Sequence, residues 1–286
     1  MAQIISIHSF RGGTGKSNTT ANLAGLFAAQ GYRVGVIDTD IQSPGIHVLF
    51  GLAEEDTVRT LNDYLWGECT IEEAAYQVTG NLGREVSGEV FLIPSSSKAG
   101  EITRVLREGY DPGLLSDGVH RLIEELSLDL LLIDTHPGLN EETLLSIAIS
   151  DTLLVIMRPD QQDYQGTSVT VDIAKKLDVP RLLLLVNKVP LNVDTADLRL
   201  RVQQIYQCPV AGVIPHSDEL MILASSALFA LRFPEHPLTE LYHQLALLLA
   251  SGSNATIRRT MASFGDLIAK RGYHRASIAS AIIQHS

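Results

Sequence analysis

Residues Phe10-Arg11-Gly12-Gly13-Thr14-Gly15-Lys16-Ser17-Asn18 constrain this chain more than any other stretch. They join a short apolar run at 4–7 to a helix-like segment at 17–30. Three glycines let the backbone curl so that several N–H groups point at one anion, and the helix that follows adds the positive end of its dipole. Such a loop cradles phosphate. Lys16 then reaches the β- and γ-phosphates and Ser17 holds Mg²⁺. The strict spacing G-x-x-x-x-G-K-[ST] is not met, because Phe10 stands five positions before Gly15. Instead a basic residue, Arg11, precedes the paired glycines.

The rest of the chain reads as alternating strands and helices up to about residue 250, the pattern of a mostly parallel α/β sheet with helices on both faces. Strands are expected at 4–7, 34–37, 90–93, 130–133, 152–157, 182–186 and 210–214, most of them continuous apolar runs suited to burial on both faces. Helices are expected at 17–30, 56–66, 71–78, 98–109, 114–127, 140–149, 163–177, 195–206, 218–230 and 238–250, the first ended by Gly31. Acids follow two of the strands. Asp38 and Asp40 close the run at 34–37, where open α/β sheets bind ligands. Asp134 ends the run Leu130-Leu131-Leu132-Ile133, and its carboxylate can reach Mg²⁺ through water, completing the metal site begun by Ser17. Asp40 is open to a second reading as the cap of the next segment. His120 lies beside apolar Leu122 and Ile123 on a helix and reads as structural.

The variant loop R/K-G-G-x-G-K-[ST] resembles that of the ParA/MinD family of P-loop ATPases. In that family the extra basic residue, normally Lys, reaches across a nucleotide-sandwich homodimer to the partner's phosphates, and the resemblance gives Arg11 that place. A planar guanidinium is not interchangeable with an ammonium. Asn18 stands where a second Thr is usual. The stretch from Asp40 to Leu52 is similar to the MinD branch, which implies that Asp40 orients the attacking water and Asp38 supports Mg²⁺. Asp134-Thr135-His136-Pro137-Gly138 matches the family's D-T-x-P-G switch, with Gly138 sensing the γ-phosphate and His136 where Pro or Ala is common. His136 is open between tuning that switch and sitting as a tolerated surface residue. Asn187 resembles the adenine-reading position, with Pro215 lining the same base. An Asn at a strand end is also an ordinary turn residue, and this position carries the choice of ATP over GTP.

What the resemblance implies is a Mg·ATP-dependent dimerisation switch that hydrolyses slowly in intracellular positioning, with an activator or cargo protein as partner. Alternatives are a ParA-like partition ATPase on DNA and a nucleotide-dependent regulatory module with little turnover. A third branch, the iron–sulfur reductases, needs cysteines at a dimer interface. Cys69 and Cys208 form no CxxC and sit in no matching segment.

Charge divides the chain. The whole carries −11. Residues 252–286 hold five basic side chains (Arg258, Arg259, Lys270, Arg271, Arg275) against Asp266, a net +4 that leaves −15 on residues 1–251. The acidic body argues against a broad DNA-binding surface. We therefore expect an ATPase domain at 1–251 and a basic helical tail at 252–286. Ile257, Met261, Phe264, Leu267 and Ile268 fall within about 120° of a helical wheel, and Ile278 and Ile282 lie one turn apart in a second short segment. That face suits packing on the body, attachment to an anionic membrane surface, or a protein or DNA contact. Each basic residue near an anionic leaflet contributes ~1 kcal/mol, so one tail attaches reversibly, and pairing two strengthens attachment by ~10²–10⁴-fold. The N-terminal apolar run lacks a basic leader, and no apolar stretch approaches the length of a spanning helix. The expected location is the cytoplasm, with peripheral attachment to the inner face of the cell membrane.

Overall fold

The computed structural model describes residues 2–223 and 225–251. Among these residues eight strands and eleven α-helices follow in the order β1 (Gln3–His8), α1 (Lys16–Ala29), β2 (Arg33–Asp38), α2 (Ile46–Leu49), α3 (Leu61–Leu65), β3 (Tyr76–Gln77), β4 (Glu89–Ile93), α4 (Ala99–Glu108) and α5 (Pro112–Glu125). They continue with β5 (Leu130–Asp134), α6 (Glu141–Ala148), β6 (Thr152–Met157), α7 (Gln161–Lys176), β7 (Arg181–Val189), α8 (Thr195–Tyr206), β8 (Val210–Pro215), α9 (Asp218–Ile222), α10 (Phe229–Arg232) and α11 (Pro237–Ala250). The strands form one sheet ordered β3-β4-β2-β5-β1-β6-β7-β8. Every pairing is parallel except β3 with β4.

The apolar runs fill both faces by simple alternation. Leu130 and Leu132 join Val34, Val36, Leu154 and Ile156 in a core covered by α1 and α11, where Leu23 and Phe27 meet Leu241 and Leu245. Leu131 and Ile133 point the other way, to Leu115, Val119 and Leu122 of α5. On that second face Leu153, Val155 and Leu184 pack instead against α7 and α8 through Val171, Leu198 and Val202. Between these two clusters β1 carries a polar seam. The Ser6 hydroxyl donates to the Ser146 carbonyl at 3.0 Å, and the Ser150 hydroxyl lies 2.6 Å from Ser6 Oγ.

Three expectations fail locally. The helix expected at 71–78 is a single 3₁₀ turn, Glu72–Ala74, followed by the edge strand β3. Here tertiary contacts outweigh helical patterning: the Tyr76 hydroxyl accepts from the Arg59 N–H at 2.7 Å and donates to the Arg59 carbonyl at 2.9 Å. The helix expected at 56–66 shrinks to α3. A capping box between Thr60 and Asp63 starts it, and Gly67 at φ 72° follows its end. The segment 218–230 breaks into α9 and α10, with Ser225 in left-handed backbone at φ 62°. His120 stands exposed on α5, with Nδ1 2.7 Å from the Ser116 carbonyl. The expected helical tail at 252–286 lies outside the described residues. No helix among the described residues is long and apolar enough to cross a membrane.

His8 ends β1 fully buried, with Nδ1 2.8 Å from Thr135 Oγ1. The Thr135 hydroxyl has a single proton and lies 3.1 Å from the Ile7 carbonyl. With that proton donated to Ile7, His8 Nδ1–H donates to Thr135. His8 Nε2 is buried and has no hydrogen-bond partner among the described residues. Burial first, and then the positive charges of Lys16 and His136, push the His8 pKa down to about 3. The folded protein therefore keeps His8 neutral where the unfolded chain protonates it, and stability is lost as pH falls from about 6.5 towards 3, by ~1.4 kcal/mol per unit. Urea unfolding should show the wild type losing about 2 kcal/mol more than His8→Asn between pH 6.5 and 5. Equal losses would mean that His8 is not held neutral.

Candidate nucleotide and cation site

The parallel strands deliver their carboxyl ends to one edge of the sheet, and the glycine-rich loop lies there between β1 and α1. Gly13 and Gly15 adopt φ 76° and 97°, a region open to glycine at little cost. A Cβ on Gly15 would also come within 2.6 Å of Asn187 Nδ2. The loop is braced from β7. Asn187 Nδ2 donates to the Thr14 carbonyl at 2.8 Å, and Lys188 Nζ donates to the Gly13 carbonyl at 2.7 Å. Lys188 itself sits at φ 56°. Ser9 Oγ closes the near side by donating to the Arg11 carbonyl at 2.7 Å.

Phe10, the residue that breaks the strict glycine spacing, fits because α7 has Gly166 opposite it. A Cβ on Gly166 would lie 2.1 Å from Phe10 Cδ1 and 2.8 Å from Phe10 Cβ. The loop is thus shaped by a helix more than 150 residues downstream.

Two carboxylates meet beside the start of α1. Asp38 and Asp134 are direct partners in the register of β2 and β5, and both are buried. Burial pushes the Asp38 pKa well above the usual carboxylate range, and the neighbouring Asp134 adds to it. Burial also raises Asp134, while Lys16 and the hydroxyls of Ser17 and Thr20 oppose the rise. Thr20 Oγ1 donates to Asp134 Oδ1 at 3.1 Å. Asp38 accepts from the backbone N–H of Asp40 at 3.0 Å and of Gly45 at 3.4 Å. Lys16 is only 7% exposed, at the first position of α1. Paired buried acids beside a serine hydroxyl suit a hard cation with oxygen ligands, and the donor set Ser17, Asp38 and Asp134 fits Mg²⁺ held through one or two carboxylates and water.

The other sequence candidates gather around this centre. Asp40 Oδ1 accepts from the Ser43 N–H at 3.1 Å and lies 2.6 Å from His136 Nδ1. Gly138, at φ 90°, donates its N–H to the Ser9 carbonyl at 3.2 Å, so the amide expected to sense the γ-phosphate has a partner within the chain. Gly15, Asn18, Asn187 and Pro215 line a recess of about 170 Å³ that continues from the loop and is closed by His216 and Tyr242. The Asn187 amide is committed at both ends, with Oδ1 accepting from the Lys188 N–H at 2.8 Å. Arg11 points to its own chain. Its guanidinium lies 3.7 Å from Asp160 and 3.6 Å from Asp163 and is 40% exposed. Sequence reasoning missed the bracing by Lys188, the acids Asp160 and Asp163 beneath Arg11, and the contact of His136 with Asp40. For the last, the signal was a histidine in a position where Pro or Ala is common.

A buried lysine, a glycine cradle at a helix start and two strand-end carboxylates make this the candidate site for a phosphorylated ligand with its cation. The family model AAA_31, described as an AAA domain, matches residues 2–180. An ATP-binding protein of Methanocaldococcus jannaschii described as uncharacterized is 29% identical over 267 residues, covering 92% of this chain and 94% of its own. A protein of Guillardia theta described as a putative septum site-determining protein MinD is 27% identical, with 79% of each chain covered. The solved structure of the septum site-determining protein MinD of Pyrococcus horikoshii, complexed with Mg-ADP, superposes with a TM-score of 0.71 at 22% identity, covering 89% of this chain and 98% of that one. The chain belongs to the AAA_31 family and is a P-loop ATPase of the ParA/MinD kind.

Packing of Phe10 against Gly166 predicts an inverted helix effect. Glycine to alanine inside an exposed helix ordinarily gains ~1 kcal/mol. Here Gly166→Ala should lower unfolding free energy by about 1–2 kcal/mol through overpacking and weaken nucleotide binding. A variant more stable than wild type in urea would refute the packing of Phe10 against α7.

Proposed function

We propose that this protein binds Mg·ATP, pairs face to face with a second copy in that state, and hydrolyses ATP slowly to ADP and phosphate, so that the nucleotide sets its association state. The observation that carries this reading is the side-by-side burial of Asp38 and Asp134 next to Lys16 and Ser17. Two adjacent buried acids are costly to ionise together, and the cation of a Mg·nucleotide would offset their charge. The bound metal would offset the negative charge on the phosphates. Lys16 contributes a fixed positive charge and the loop amides contribute oriented donors, so the protein's share of catalysis is positioning and electrostatics. Asp40 is assigned the attacking water, the recess at Asn187 and Pro215 the base, and Gly138 the sensing of the terminal phosphate once its N–H leaves Ser9. Arg11 is assigned to the partner's phosphates; its present ion pairs are long and its own side chain is exposed.

The cellular role we propose is intracellular positioning of the MinD kind, with the ATPase domain at 1–251 and residues 252–286 as a basic tail that rests on an anionic membrane surface. The relative from Guillardia theta, a putative septum site-determining protein, supports the role. The +4 tail against the −15 body supports a division of labour in which the tail, not the body, meets an acidic surface.

Two measurements test this. Asp40→Ala should lower steady-state ATP turnover by about 100-fold or more while leaving nucleotide affinity near that of wild type; a binding module without turnover would be indifferent to the change. In sedimentation with anionic vesicles, the full chain should pellet with ATP and not with ADP, and a chain truncated after Ser251 should stay in solution. Equal pelleting in both nucleotides would remove the nucleotide control, and no pelleting in either would remove the membrane role.

A further inference from the structure

The two hydrogen bonds that the Asp40 carboxylate accepts fall on the same oxygen. The Ser43 N–H reaches Oδ1 from three residues along the same loop, at 3.1 Å. His136 Nδ1 reaches it from 96 residues away, at 2.6 Å. A carboxylate only accepts, so Nδ1 carries the proton. The contact is short and mostly withdrawn from water, with side-chain exposures of 20% for His136 and 14% for Asp40, conditions under which a charge-assisted hydrogen bond fixes geometry well. Oδ2 takes no hydrogen bond from the described residues.

His136 is itself held at its backbone. Its carbonyl accepts from Thr143 Oγ1 of α6 at 3.2 Å, and two residues on, Gly138 is tied to Ser9. The ring therefore connects the segment after β2 with the segment after β5, and its other side borders a cavity of about 200 Å³ lined by Thr39, Gln42, Asn140 and Glu142.

We propose that His136 is a positioning residue for Asp40: by pinning Oδ1 it presents Oδ2 to the attacking water, and it couples that orientation to the segment that carries Gly138. This rests on the reading of Asp40 as the water-positioning carboxylate. His136 touches neither nucleotide nor water in this role, and it acts through Asp40 alone.

The test uses the full chain, with steady-state and single-turnover ATP hydrolysis and equilibrium binding of a fluorescent ADP analogue. His136→Ala should lower kcat by about tenfold, the kinetic equivalent of one charge-assisted hydrogen bond, with KM and ADP-analogue affinity within about twofold of wild type. His136→Asn, whose amide N–H can stand in for Nδ1–H, should recover most of the lost rate. Added to Asp40→Asn, His136→Ala should cost nothing further. Wild-type kcat in His136→Ala, or a full additional loss in the Asp40→Asn background, would overturn the positioning role while Asp40 keeps its own. Wild-type turnover in Asp40→Asn would instead remove the assignment of Asp40, and this inference with it.

Discussion

Two carboxylates that should repel each other are buried side by side, and much of the architecture around them can be read as the means of keeping them there. Asp38 and Asp134 lie in register on neighbouring parallel strands. Charges of like sign in a dry site disfavour joint ionisation, and burial and mutual repulsion raise Asp38 as expected. The compensation comes from separate parts of the chain: the amides of Asp40 and Gly45 for Asp38, the hydroxyls of Ser17 and Thr20 for Asp134, and the Lys16 ammonium alongside. Only the parallel arrangement of β1, β2 and β5 brings a helix start and two strand ends to one point. The fold and the site are in this sense one constraint.

At the same edge of the sheet, the residues assigned to nucleotide recognition also brace one another. Groups assigned to nucleotide recognition are occupied by internal partners: the Gly138 N–H by the Ser9 carbonyl, the Asn187 amide by Thr14, and the Arg11 guanidinium by Asp160 and Asp163. Unpaired buried polar groups cost about as much as the hydrogen bonds they lack, so these internal contacts help to hold the loop in shape. Their strengths differ. The Asn187 bond is buried and short, whereas Arg11 is exposed and its contacts exceed 3.5 Å. The first acts as a permanent brace and the second as a contact that solvent readily replaces.

Local chemistry was the legible part of this sequence. The glycine loop, the acids at the ends of β2 and β5, and the apolar runs of the inner strands each announce themselves within a dozen residues, because phosphate binding and two-face burial impose residue types at fixed spacing. What stayed hidden depends on partners far along the chain. The segment at 71–78 has helical composition, yet β4 recruits Tyr76–Gln77 as an antiparallel edge. Phe10 looked like a defect in the loop until Gly166 made room for it. The contact of His136 with Asp40 spans 96 residues, and no periodicity encodes it.

Arg11 shows how charge arithmetic separates a parked residue from a committed one. Asp163 is buried and already holds the Arg158 guanidinium at two oxygens, 3.1 and 3.2 Å away, and it also accepts the Arg158 N–H at 2.8 Å. Asp160 caps α7 by accepting the Asp163 N–H at 3.0 Å, and it also lies 3.3 Å from Arg158. With Arg158 serving both acids, withdrawing Arg11 leaves no buried carboxylate unpaired; the residual charge falls on Asp160, which water reaches. The cost is that of an exposed ion pair, about 0–1 kcal/mol. A guanidinium so lightly held is free to leave its own chain, which the proposed contact with a second copy requires, and its planar fork can make paired hydrogen bonds to phosphate oxygens that an ammonium cannot.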